Sequence, residues 1–407
     1  MCKVSKIRER AEAAADKKAL YGADIDLPSF KQEASVHEYN PEMAGFSEEE
    51  RKNFAEVGIV TSGEERSGNF LMMDHSPVHC SVGQEGVELL PMADALEKYD
   101  GLKEYWWKAV DVGTDKYTAG AELNFNNGYF VRVKAGVSAT FPVQTCLYID
   151  EEEIAQNVHN VVIAEEGSEL HLITGCATAP HLRRGLHIGV TEFYIKKGAT
   201  VTSTMIHNWG EEVEVRPRTV VMVEEEATFM SNYVSMKPVK SVQMYPVVRL
   251  LGEGAVARIN SILVAAKGSE LDVGGSVSLE AAGTKAEIIS RAISTGGDII
   301  ARGQLIGHKP GIKAHLECNG LMLSEEGSIR AIPELDGRVA GVEMSHEAAV
   351  GKISQDQIEY LMARGLNEEE ATALIVRGFL NVKMEGLPEE LQMEIDRIVS
   401  ESEKSIL

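Results

Sequence analysis

Cysteine, aromatic residues and long apolar runs are all scarce in this chain, and each scarcity removes a class of protein. The 407 residues include five cysteines, at positions 2, 80, 146, 176 and 318. No two of them share a C-x-x-C spacing, which excludes zinc ribbons, thioredoxin motifs and self-contained ferredoxin sites. An odd thiol count, in a chain whose first residues (MCKVSKIRER) hold no apolar leader, argues against an exported disulfide framework and predicts a cytoplasmic, soluble protein. The longest apolar run, Ile262 to Ala266, is five residues, against the ~20 that a spanning helix needs. Acidic residues outnumber basic ones 63 to 40, a net charge of −23. Such a surface repels phosphate backbones and anionic lipid, so neither nucleic acid nor a membrane is an expected partner. The GxxxxGK[ST] phosphate loop is also absent, so any ATP hydrolysis must come from another protein.

What is present is a three-part texture. Residues 1–118 form a mixed, largely helical region: 2–18 are rich in good helix formers, and Ser47 with Glu50 forms a capping box. From 119 to 345 apolar and polar residues alternate, interrupted by turns that resemble one another at Gly136, Gly167, Gly198, Ala227, Gly254, Gly268, Gly283 and Gly327. The first turns are spaced 31, 31, 29 and 27 residues apart, followed by steps of 14 and 15. Strand, glycine turn and strand at that period predict a parallel β-solenoid, with an antiparallel β-sandwich as the alternative. Residues 346–407 return to helix. Ser354 with Gln357 and Asn367 with Glu370 cap two helices, Gly365 lies between them, and Pro388 opens a last helix to about 402. These helices are expected to cap the end of the solenoid.

At this point the residues resemble a known family. KISQDQIEYLMARGLNEEEATALIVRGFL (352–380) is similar to the C-terminal signature of SufB and SufD, scaffold subunits of the SUF iron–sulfur assembly machinery. LITGCATAP (172–180), IHNWGE (206–211), SHEAAVGKI (345–353), ELLPMADAL and NNGYFVRVKAGV match further family stretches. The resemblance implies a mainly β protein, a central right-handed parallel β-helix flanked by N- and C-terminal helical domains. It implies a dimer, either of this chain with itself or with a second SufB or SufD chain. It also implies a SufC-type ABC ATPase docked on the C-terminal helices, a sulfur donor and apo-protein acceptors. The product would be an iron–sulfur cluster, expected to be [4Fe-4S]; nothing in the sequence indicates a reduced flavin.

The same resemblance assigns candidate residues. Cys318, in HLECNGLML, matches the cysteine that holds the nascent cluster in SufB. Glu347 matches a cluster ligand of SufB, and His346 a functional histidine of SufD. Cys176 matches the persulfide-accepting cysteine. His207, Trp209 and Arg218 match positions along an internal sulfur route, His207 standing where the family more often has Gln and Arg218 where it often has Lys. Thiolate, imidazole and carboxylate are all competent iron ligands, thiolate the softest. Taken without the resemblance, Cys176, Cys318 and Trp209 read equally well as core residues, and His346–Glu347 as a surface pair. Cys80 with His75 and His79 (DHSPVHC) is a second metal-like grouping. Two other functions remain open at this stage: a SufD-like accessory subunit, and a β-helix enzyme acting on polysaccharide. The 6% aromatic content and the missing leader weigh against the latter.

Overall fold

The protein is described by a computed structural model covering residues 3–62 and 65–380. Its body is a stack of coils that contribute strands to two sheets. In the first sheet the order is Ser76–Val82, Gly68–Met73, Val143–Ile149, Glu169–Thr178, Thr200–Asn208, Thr228–Ser235, Val256–Ala266, Lys285–Thr295, Lys313–Met322 and Glu343–Lys352. The second sheet starts with Val87–Pro91 and Tyr129–Val133 and finishes with Asp298–Gly307 and Ser328–Gly337. Ladders are parallel except at the N-terminal end, where two pairs are antiparallel. This is the solenoid that the recurring turns predict, and the parallel pairing excludes the sandwich.

The corners explain the period. Gly136, Gly167, Gly198, Glu226, Gly254, Gly283, Gly311 and Gly341 all have positive φ and recur every 28 to 31 residues. Glycine enters that left-handed region without strain. Only Glu226 does so with a side chain, one residue before the Ala227 at which the sequence places the turn.

Along each strand successive side chains alternate between the solenoid interior and the outside. The interior is filled by apolar side chains of one continuous buried cluster, from Phe70 to Leu316. Outside, the helices Lys3–Ala14 and Lys116–Leu123 set Ala11, Ala14 and Tyr117 against Leu186, Ile188 and Val190 of the second sheet. The fully buried Glu192 carboxylate fixes the loop before that second helix, accepting the backbone N–H groups of Trp107, Lys108, Ala109 and Val110. The helix Glu48–Glu56 begins with the expected capping box of Ser47 and Glu50. The chain after it crosses Gly175 so closely that a Cβ there would lie 2.6 Å from Val57.

Two boundaries differ from the sequence reading. The solenoid's first sheet begins at Gly68, ahead of residue 119, because all six residues of Gly68–Met73 are buried on both faces and show no alternation. At the other end the final strand runs to Lys352, so His346 and Glu347 lie within the solenoid and not in the helical part.

The helices Gln355–Met362 and Glu368–Leu380 follow. Asn367 and Glu370 form a reciprocal cap, Gly365 turns the chain at φ 103°, and Ser354 caps without the side-chain bond expected with Gln357. This hairpin does not cover the end of the solenoid. Val376, Phe379 and Leu380 pack on its flank, with the Phe379 ring 5.8 Å from the Arg291 guanidinium. Among the described residues Glu343–Lys352 is left as an exposed edge strand. The helix expected from Pro388 lies outside the described residues. Among the described residues no helix is long and apolar enough to cross a membrane.

Candidate functional site

Parallel register carries side chains of successive coils into columns that share one face. Cys176 pairs with His207, one coil on. The next column begins at Met205 and runs through Tyr233, Ser261, Ser290 and Cys318, each paired in register with the one before. Both columns face inward, since Met205 and Tyr233 line an internal cavity together with Phe193, Thr219 and Val221 of the opposite sheet. Two hydrogen bonds stitch this interior line: the Tyr233 hydroxyl lies 2.9 Å from His207 Nδ1, and Ser261 Oγ donates to Ser290 Oγ at 3.1 Å. Cys176 is thus joined to Cys318 by a row of imidazole, phenol and hydroxyl groups. Five strand spacings of about 4.8 Å separate the two thiols, roughly 24 Å, too far for direct sulfur exchange.

The environment at the Cys176 end is dry. Burial raises the Cys176 thiol far above its usual range. It lowers His207 well below the ordinary imidazole value and His187 to about 3, so both rings are neutral at pH 7. His187 Nδ1 sits 2.9 Å from Gln156 Oε1, and the Gln156 amide donates to the Asp74 and Tyr148 carbonyls. Trp209 lies between the imidazoles, its ring 5.0 Å from His187 and 5.4 Å from His207, and its buried indole N–H has no hydrogen-bond partner among the described residues.

The other end is open. Cys318 is 1% exposed, and burial together with the neighbouring Glu317 charge moves its thiol up to about 11, with Arg291 opposing. Leu316, on the same face, pairs with His346, so His346 shares the inward face with Cys318 in the last coil. Glu347 pairs with Glu317 and takes the outward face. One subunit therefore brings Cys318 and His346 to the same side and turns Glu347 away.

Arg218 is corrected more strongly. Thr219 and Val221 point inward, so Arg218 points out: its Nε donates to Asp115 at 2.8 Å and its guanidinium lies over Tyr117. It joins the N-terminal region to the second sheet and is absent from the interior line. The grouping of Cys80, His75 and His79 also separates. His75 Nε2 meets the Ala155 carbonyl, His79 Nδ1 the Asn40 carbonyl, and the Cys80 thiol, raised by burial to about 12, donates to the Leu89 carbonyl. Among the described residues of one chain, no three His, Cys, Asp or Glu side chains are gathered to hold a metal.

Sequence reading missed His187, Tyr233, Ser261 and Ser290. The last three precede Cys318 at intervals of 28, 29 and 28 residues, the period of the corners themselves.

Comparison with known proteins agrees with this architecture. Residues 147–379 match the family described as "SUF system FeS cluster assembly, SufBD core domain". An iron–sulfur cluster assembly SufBD family protein of Methanothermobacter thermautotrophicus is 48% identical over 404 residues, 98% of each chain. One from Archaeoglobus fulgidus is 48% identical over 358 residues, covering 88% of this chain and 96% of that protein. A Staphylococcus aureus relative is 31% identical over 371 residues, covering 88% and 79% respectively. With its solenoid, its interior line of polar side chains and this coverage, the chain belongs to the SufBD family of iron–sulfur cluster assembly proteins.

Proposed function

We propose that this chain is the scaffold on which an iron–sulfur cluster is built, at an interface between two copies. It acts without catalysing a reaction of its own, and the cluster is cargo that leaves for apo-proteins. The observation that carries the reading is the interior line from Cys176 to Cys318, which finishes beside His346 at an uncovered edge. A persulfide accepted at Cys176 from a donor would be reduced by two electrons from an external reductant, restoring the Cys176 thiol and freeing sulfide, and the sulfide would pass His207 and Trp209 towards Cys318. There Cys318 and His346 bind iron, and Glu347 reaches the site only around the strand edge.

The edge itself favours a second copy as partner. Ser328–Gly337, the terminal strand of the second sheet, carries Pro333 and the charges Arg330, Glu334 and Asp336, which deter pairing. Glu343–Lys352 has no proline, and Ala348, Ala349 and Val350 are exposed. Two-fold pairing along that edge doubles each ligand, giving two thiols and two imidazoles for a [4Fe-4S] cluster. The helices 355–380 would dock a SufC-type ATPase through Tyr360, Met362 and Leu374, apolar side chains 58%, 41% and 47% exposed. An acidic row, Glu368 to Glu370, lies beside them.

The test is anaerobic reconstitution with ferrous iron and sulfide, followed by mass and iron per dimer. Cys318→Ser is nearly isosteric and should fold, dimerise and lose most bound iron. Cys176→Ser should reconstitute chemically, yet assemble slowly from a sulfur donor. Wild-type iron in Cys318→Ser would overturn the assignment.

A further inference from the structure

A cleft of about 400 Å³ lies outside the solenoid, where the segment 20–23 crosses the strands Ser241–Met244, Glu270–Leu279 and Asp298–Gly307 of the second sheet. Met244 of the first of these strands points into the interior, so Gln243 points outward, away from the line between the two cysteines. Two groups in the cleft wall are buried without a partner. Arg216 is fully buried, and its guanidinium is held by the carbonyls of Val215, Ser241 and Ala23 and by Ser241 Oγ, while Nε has no partner among the described residues. None of these contacts is a carboxylate, so the charge stays uncompensated. Gln243 is 4% exposed, and its Oε1 is also without a partner among the described residues. The cleft's other guanidinium, Arg302, is neutralised by Asp272 through bonds of 2.6 and 3.0 Å and lies over the Tyr21 ring. Across the cleft the exposed Glu270 and Asp298 are register partners on neighbouring strands. Like charges placed directly opposite repel. Asp298 accepts from Ser328 Oγ at 2.6 Å, and neither carboxylate forms an ion pair among the described residues.

The cleft thus holds a lone positive charge at one side and two adjacent negative charges at the other. A buried charge without a counter-ion is costly to keep, and the pair of carboxylates is relieved by a cation, so the arrangement suits a ligand carrying both signs. Spacing limits its length. Val215 pairs with Val242 and Ser241 with Glu270, which puts Arg216 two strands from Glu270, about 9.6 Å. Two hydrogen bonds of about 2.9 Å leave about 3–4 Å for the ligand, the span from carboxylate oxygen to ammonium nitrogen in an α-amino acid. A phosphate fits worse, because Glu270 and Asp298 repel it. We propose that this cleft binds a free α-amino acid as its zwitterion, the carboxylate on Arg216 and the ammonium on Gln243 Oε1 and the Glu270–Asp298 pair. The carboxylate takes the place of the Ala23 carbonyl on Arg216 Nη2, exchanging a neutral acceptor for a charged and stronger one. Leu20, 84% exposed, and Ile300 line the same cleft and select an apolar side chain. The site stands apart from the scaffold reading and does not depend on it.

The experiment titrates the full chain, without iron or ATPase, with L-leucine in a calorimeter. L-leucine should bind with a Kd below about 1 mM, within reach of a ligand of this size making few polar contacts. N-acetyl-L-leucine, which lacks the ammonium charge, and L-leucinamide, which lacks the carboxylate, should each bind at least about tenfold more weakly. The double variant Glu270→Gln with Asp298→Asn alters two exposed side chains; it should fold, bind L-leucine about tenfold more weakly and take up iron in reconstitution as the wild type does. Absence of L-leucine binding up to about 10 mM overturns the proposal. Equal binding of N-acetyl-L-leucine overturns it as well, because that describes a site for a carboxylate alone. Unchanged affinity in the double variant places the amino acid elsewhere and overturns the cleft as its site. If the double variant does not fold, the comparison of the three ligands on the wild type decides.

Discussion

Replacing His187 by glutamine should make the protein less sensitive to mild acid. His187 is 3% exposed, and burial alone depresses it from 6.5 to about 3. Between those values the unfolded chain carries a proton on this imidazole and the folded chain does not. The unfolded state therefore binds more protons, and stability falls as pH is lowered through that window. At pH 5 the imidazole costs about 2 kcal/mol relative to pH 7, from 1.5 pH units at about 1.36 kcal/mol each. Glutamine does not titrate, and its amide can donate to Gln156 Oε1 as His187 Nδ1 does. Urea unfolding at pH 7 and pH 5 measures the difference. The wild type should lose about 2 kcal/mol more than His187→Gln over that interval, with equal slopes against urea at both pH values. Identical pH profiles would refute a neutral, dry imidazole beside Trp209, and with it the closed character of the Cys176 end.

Three further outcomes follow from the site. Tyr233→Phe removes the hydroxyl from buried His207 and should lower stability by about 1–3 kcal/mol in urea unfolding; it should also slow donor-dependent sulfur incorporation while leaving chemical reconstitution intact. His346→Ala should reduce iron per dimer more than Glu347→Ala, because only His346 shares the face of Cys318; the reverse order in iron analysis would place the site on the outside of the strand. Tyr360→Asp with Leu374→Asp should abolish co-purification with the ATPase without altering the β-rich circular dichroism, and retained binding would move the docking face elsewhere.

The solenoid was legible because its corners need a backbone that glycine supplies, so the turn residues print the coil length directly into the sequence. Even the exception at Glu226 keeps the interval. Strands buried on both faces leave no such print: Gly68–Met73 lacks a polar row and passes unnoticed. Site residues carried over by resemblance fall on different faces for a related reason. Position along the chain fixes the coil, while parity fixes the face. Parity separates His346 from Glu347 and turns Arg218 out to Asp115. The hydroxyls at 261 and 290 were readable by counting back from Cys318, but two serines in a strand look like any half-buried polar residue until the coil length is known.

The regular coil also makes distance a countable property of this molecule. Each coil of 28 to 31 residues advances the stack by about 4.8 Å and touches only the coils on either side. The gap between Cys176 and Cys318 is therefore set in whole steps. Excising one coil between Ser261 and Ser290 would bring the two thiols about 4.8 Å closer while leaving the chemistry at both ends in place. The protein behaves as a ruler with integer graduations, and on the proposed sulfur route the transit time along its interior would be a quantity that can be varied one step at a time.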